Sequence, residues 1–455
     1  MAGSVEDLVN SITTFTDRKE FLELNNYMDQ HIQLLFKNEN LYDIILEPLD
    51  SQVHSLGVLH VLSMKVDSLN SQTTNEVIQQ LLQQLKHFTP LCCREQLSHA
   101  RGKFSTMFHT LTQELCARNI PIRGIVIVSA AIDKLQAHPS QLTSVHADLC
   151  QLCLAAKCFK PALKYLDIYI SEVGKEGGAM SSLHYLSYYY YGGMVYAALK
   201  HWDRSLYFFE QAVTCPASAV SMIMVEAYKK YLLVSLLLEG HIVALPKYTS
   251  NVLLRYIKHY VCEYQELANV YAEGSVSRLE AILIPHRNVF SQDSNMGLCK
   301  QVVVSLSKRN IQKLTKTFVT ISLEDVIVRA QLGCTIEALE RRLLGMIADG
   351  EIFAGIDQQN RMVNFYDDPE KYDSSMNLER IDSHIGDFMD IDGKIREMTE
   401  SIQKNPSYLH RSRNSAAPDE DFEGSSSSLG MASSASGSAT SRSSIMNKIF
   451  NAKGN

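Results

Sequence analysis

The sequence predicts a mainly α-helical protein: a right-handed helical-repeat solenoid of tetratricopeptide type, then a winged helix, one long C-terminal helix and a disordered tail. Apolar residues recur at spacings of three and four from about residue 5 to 300, and strand-like alternation is absent. A turn-then-helix pattern repeats there with a period of about forty residues, the range of helical-hairpin solenoids. Beyond residue 300 the pattern changes to helix, helix, helix and β-hairpin.

The chain has 455 residues, with 50 acidic against 43 basic side chains, a formal charge of −7 and 45% apolar residues. That is a globular composition, and the length allows about three units of about 150 residues each. The mild acidity excludes a global field for nucleic acid or an anionic membrane. Apolar runs such as Gly124 to Ile132 and Tyr231 to Leu238 fall well short of the roughly 18 residues that span a bilayer. The acidic start, Met1 to Asp7, has no apolar core, so a secretory signal is not expected, nor, with Ala2 in place of glycine, is myristoylation. The ten cysteines are expected to be reduced and buried, as in a cytoplasmic or nuclear protein.

The solenoid occupies residues 1–300. Its repeat shows when Lys200 to Leu206 is laid over Lys157 to Leu163. The same turn-then-helix register fits Asn119 to Ile125, Glu239 to Leu245 and, more loosely, Glu273 to Leu279. Gly193, Tyr196, Phe209 and Ala212 stand at tetratricopeptide spacing, with Ser205 where alanine is usual and Pro216 one place early. Small residues let paired helices approach, and the aromatics fill the gap to the next hairpin. Tyr188 to Tyr191 cannot share one helix face. Either flanking hairpins absorb them all or one faces a partner.

The winged helix is placed at 301–368. A helix near Asn310 to Phe318 precedes Ser322 to Asp325, a capping signature that opens the second helix. Thr335 is expected to cap the third, whose buried face is Ile336, Leu339, Leu343, Met346 and Ile347; Asp349 and Gly350 end it. Strands are predicted over Glu351 to Ile356 and Arg361 to Phe365, with a turn at Asp357 to Asn360.

Residues 369–376 read as a linker and 377–404 as one helix. On it Leu378, Ile381, Ile385, Phe388, Ile391, Ile395, Met398 and Ile402 form a near-heptad seam. Such a seam must be buried, against its own chain or against partners. Gly386 and Gly393 weaken the isolated helix and favour partners. From 405 to 455 the Ser-, Gly- and Ala-rich chain cannot offset its ordering entropy; its serines are open to phosphorylation. Its stretch Ile445 to Phe450 reads as tail rather than a docking element.

No catalytic residue, metal ligand or cofactor site is expected. His146, Cys150 and Cys153 share a helix face near Cys158, but no second Cys or His pair closes a zinc site, and core packing explains them. His138 and Pro139 resemble the histidine-proline element of metal-dependent isopeptidases, yet residue 136 is glutamine where a second histidine is needed. Phosphate loops, dinucleotide fingerprints and nucleophile elbows are missing. Lys308, Arg309, Lys313 and Lys316 form a basic cluster, but the third helix exposes Glu337 and Glu340 beside Arg341 and Arg342, which gives no phosphate-binding stripe.

A helical-repeat arm ending in a winged helix is similar to the PCI-domain proteins of the proteasome lid, the signalosome and translation initiation factor three; the PCI domain would span about 195–368. The blocks Gln141 to Cys153, Tyr188 to Tyr196, Asn310 to Phe318, Gly350 to Ala354 and Asp368 to Tyr372 resemble the subunit 3 family of the constitutive photomorphogenesis (COP) signalosome. The resemblance implies a non-catalytic scaffold in the cytoplasm and nucleus, within a complex that removes the modifier NEDD from cullins of cullin-RING ubiquitin ligases. It implies PCI-type and metalloprotease-type subunits as partners, with the zinc site on another subunit; the charge pattern itself leads us to expect neither nucleic acid nor membrane as a ligand. The wing, through Glu351, Ile352, Phe353, Ile356, Met362, Val363 and Phe365, would offer a sheet edge, and the seam Leu378 to Ile402 would enter a shared helix bundle. The alternatives are a winged-helix nucleic-acid binder, or a scaffold of the lid or of initiation factor three.

Overall fold

The computed structural model describes residues 2–35, 41–69, 73–174, 180–367 and 374–409. Contacts divide the chain into two units, 1–368 and 369–455. Most of the tail therefore lies outside the described residues, as does Asp368 to Tyr372.

The first unit is a succession of antiparallel helix pairs, each packed on its neighbours in sequence: Arg101–Ala117 with Ile122–Leu135, His146–Ala155 with Lys160–Leu166, Ser182–Ala198 with Trp202–Thr214, then Met222–Leu238, Cys262–Glu273 and Val276–Leu283. The repeat register predicted from sequence coincides with a backbone device. Asn119, Lys157, Lys200, Gly240 and Gly274 all adopt left-handed backbone, with φ between 54° and 82°. At the first three, a 6→1 hydrogen bond closes the helix end, from Ile120 N to Leu115 O, Cys158 N to Cys153 O and His201 N to Tyr196 O, each 3.0 Å.

The hairpin of Ser182–Ala198 and Trp202–Thr214 shows why the tetratricopeptide positions hold the residues they do. A Cβ added at Gly193 would lie 2.7 Å from the ring of Phe209, and one at Gly192 2.6 Å from Phe208. Ser205, in alanine's usual place, is fully buried and donates its hydroxyl to Gly193 O at 2.9 Å. Tyr188 and Tyr189 are buried, and Tyr190 and Tyr191 are half-buried against the same core. All are absorbed by flanking helices.

The structure departs from the sequence reading in several places. A two-residue parallel ladder joins Gln141–Leu142 to Glu172–Val173. After Gly240 no amphipathic helix follows: residues 241–250 are irregular, with Pro246 disfavouring helical geometry at Leu245, and the helix restarts at Asn251–Tyr256. The helix expected near Asn310 is the end of a longer one, Met296–Thr315, so a boundary at 300 cuts through it.

The winged helix contains the long helix Met296–Thr315, then Leu323–Arg329 and Ile336–Ala348. Ser322 caps the second as predicted, accepting from Asp325 N at 3.1 Å. Thr335 precedes the third but makes no side-chain cap. The sheet has three strands, not two: Thr320–Ser322 pairs with Met362–Phe365, whose other side pairs with Ala354–Asp357. Leu339, Leu343 and Met346 are fully buried in its core with Val363, while Ile336 and Ile347 are half-buried.

Candidate assembly site

The C-terminal helix spans Ser375–Lys404, capped by Ser374, whose hydroxyl accepts from Asn377 N at 3.3 Å. Its 30 residues extend about 45 Å. None is buried. Leu378 and Phe388 are 71% and 69% exposed, and Ile391, the least open of the seam, is still 43% exposed. Ile381, Ile385, Ile395, Met398 and Ile402 are open as well. Elsewhere along the helix, Asp392 with Arg396 and Glu400 with Lys404 form pairs at i and i+4. Nothing lies within 4 Å of an added Cβ at Gly386 or Gly393, so these glycines are not required by packing.

In the wing, Met362, Val363 and Phe365 belong to the central strand. Both sides of that strand are paired, so it offers no edge, which corrects the sequence reading. Ala354–Asp357, including Ile356, is an edge strand, and Thr320–Ser322 is the other. Glu351 precedes the strand and binds Lys308 at 2.7 Å; Ile352 is buried; Phe353 accepts from Tyr366 N at 2.8 Å. Beside the edge a cavity of about 470 Å³ is lined by Glu340, Leu344, Ile356 and Asp357.

Half of the basic cluster is committed within the fold. Lys308 binds Glu351. Arg309 donates to the carbonyls of Leu237, Leu238 and Glu239, capping the helix Met222–Leu238. A Cβ at Gly240 would lie 2.7 Å from that guanidinium. The sequence reading missed this joint, since nothing in a lone arginine of a basic run marks it as a helix cap. Lys313 and Lys316 remain exposed.

His146 is 1% exposed, and its ring nitrogens face Thr143 and Gln136. Burial holds its pKa down at about 4. Burial likewise raises the Cys150 thiol and pushes Cys153 up to about 12, so neither is a ready thiolate. Gln136, where an isopeptidase would need histidine, bonds Pro139 O and Gln141 O. Among the described residues no group of three or more His, Cys, Asp or Glu could hold a metal, and no helix is long and apolar enough to cross a membrane.

The family model for the N-terminal helical repeats of COP9 signalosome complex subunit 3 matches residues 18–253. A Drosophila melanogaster protein named COP9 signalosome complex subunit 3 is 42% identical over 434 residues, 92% of this chain and 97% of its own length. The chain belongs to the COP9 signalosome subunit 3 family. An Arabidopsis thaliana subunit 3 is 37% identical over 409 residues, 90% of this chain and 93% of that protein. The PCI domain model matches residues 279–367, so the winged helix falls inside the PCI region.

Proposed function

We propose that the chain is a non-catalytic scaffold of the signalosome, joined to PCI-type and metalloprotease-type subunits in the complex that removes NEDD from cullin-RING ligases in cytoplasm and nucleus. The observation that carries the reading is the C-terminal helix, whose apolar seam stays exposed over its whole length. So many exposed apolar side chains on one helix gain by burial in a multi-helix bundle. The edge strand Ala354–Asp357 adds a second surface, suited to sheet augmentation by a neighbouring wing.

Affinity purification of the tagged full chain from its own cells, with mass spectrometry at moderate salt, tests this. A stoichiometric set of signalosome subunits is expected. Proteasome-lid or initiation-factor subunits in their place, or a lone chain bringing nucleic acid, would overturn it.

A further inference from the structure

Between Gly240 and Cys262 the chain carries no Asp or Glu, although acidic residues exceed basic ones over the whole sequence. This segment ends in the short helix Asn251–Tyr256, which runs on into the turn Ile257–Tyr260. Leu253, Ile257 and Val261 are buried at four-residue spacing and anchor one side to the solenoid. The rest of its surface is open, with Arg255 and Lys258 pointing away from the buried row and Tyr256 and Tyr260 flanking it, three residues after Leu253 and Ile257. Leu254, Tyr256 and Tyr260 are 42%, 51% and 54% exposed, and Arg255, Lys258 and His259 are exposed among them. Among the described residues these three basic groups make no ion pair, and the first carboxylate after them is Glu263.

Tyrosine and arginine are the side chains that concentrate binding energy at protein interfaces, and unpaired cations of one sign select a partner of the opposite sign. We propose that this exposed segment docks an acidic stretch of a partner protein that passes from its basic side to its tyrosine flank, in addition to the surfaces of the scaffold reading. Carboxylates would engage Arg255 and Lys258, and an apolar side chain would lie against Tyr256 and Tyr260, four residues apart. A single nucleic-acid strand fits less well, because two basic residues and a histidine on so short a segment neutralise too few phosphates to hold one.

The full chain is titrated by fluorescence anisotropy with a short Asp- and Glu-rich peptide containing two leucines, with its Asn and Gln isostere, and with oligo-dT. Saturable binding of the acidic peptide alone is expected, weakened about tenfold or more by Arg255→Glu with Lys258→Glu. Tyr256→Ala with Tyr260→Ala, which keeps the charge, is expected to weaken it as well, with circular dichroism of both variants unchanged. Absence of saturable binding, binding indifferent to both variants, or tighter binding of oligo-dT would overturn the proposal.

Discussion

Lys19, Asn119, Lys157, Lys200 and Ser294 hold left-handed backbone at helix ends where glycine is the usual residue. An L side chain there costs about 1–2 kcal/mol, partly offset because glycine loses more freedom on folding. Lys200→Gly is therefore expected to hold or slightly raise the urea midpoint, and Lys200→Val to lower stability by about 1–2 kcal/mol. Gly193→Ala pushes a methyl into the Phe209 ring and should cost about 1–3 kcal/mol by the same measurement. The glycine and aromatic positions were legible because the tetratricopeptide spacing specifies them. The lysine turns were not, since a surface lysine carries no mark of backbone strain.

Protonation gives a second residue-scale prediction. His60 is buried, its pKa held at about 3 by burial and by the charge of Lys103, and His146 is held at about 4 by burial. Both rings stay neutral in the folded chain, whereas the unfolded chain binds protons below about pH 6.5. Their contribution is complete above that pH and is lost as pH falls toward 4, by about 1.4 kcal/mol per pH unit for each ring. The melting temperature should fall from pH 7 to 5, and fall less in His146→Gln. An equal fall in that variant would show that this ring is not what titrates.

At the scale of elements, the helices followed from apolar periodicity, and the long C-terminal helix was placed to within a few residues. The strand Thr320–Ser322 was missed because so short an apolar run has no alternation to detect, and its last residue doubles as the cap of the next helix. A two-stranded wing would leave one side of Met362–Phe365 open, and Thr320–Ser322 covers that side. The joint between Arg309 and the helix Met222–Leu238 could not be read either, since it links residues about seventy positions apart. Arg309→Leu strips the donors from those part-buried carbonyls and is expected to lower stability by about 1–3 kcal/mol in urea denaturation. Gly240→Ala, which forces the guanidinium aside from a left-handed position, should act in the same direction.

For the whole molecule, the solenoid is stabilised by its own core, while the seam on Ser375–Lys404 contributes nothing buried to the chain alone. Mutations in the two regions should therefore separate: core changes lower stability, and seam changes alter assembly without altering the melting temperature. The direct measurement is reconstitution of the signalosome with the full chain carrying Ile385→Asp and Ile395→Asp, read by size-exclusion chromatography beside the melting curve of the isolated variant. Release of the variant from the complex with an unchanged melting curve is the predicted result. Retained stoichiometric assembly would contradict a scaffold held by its C-terminal helix.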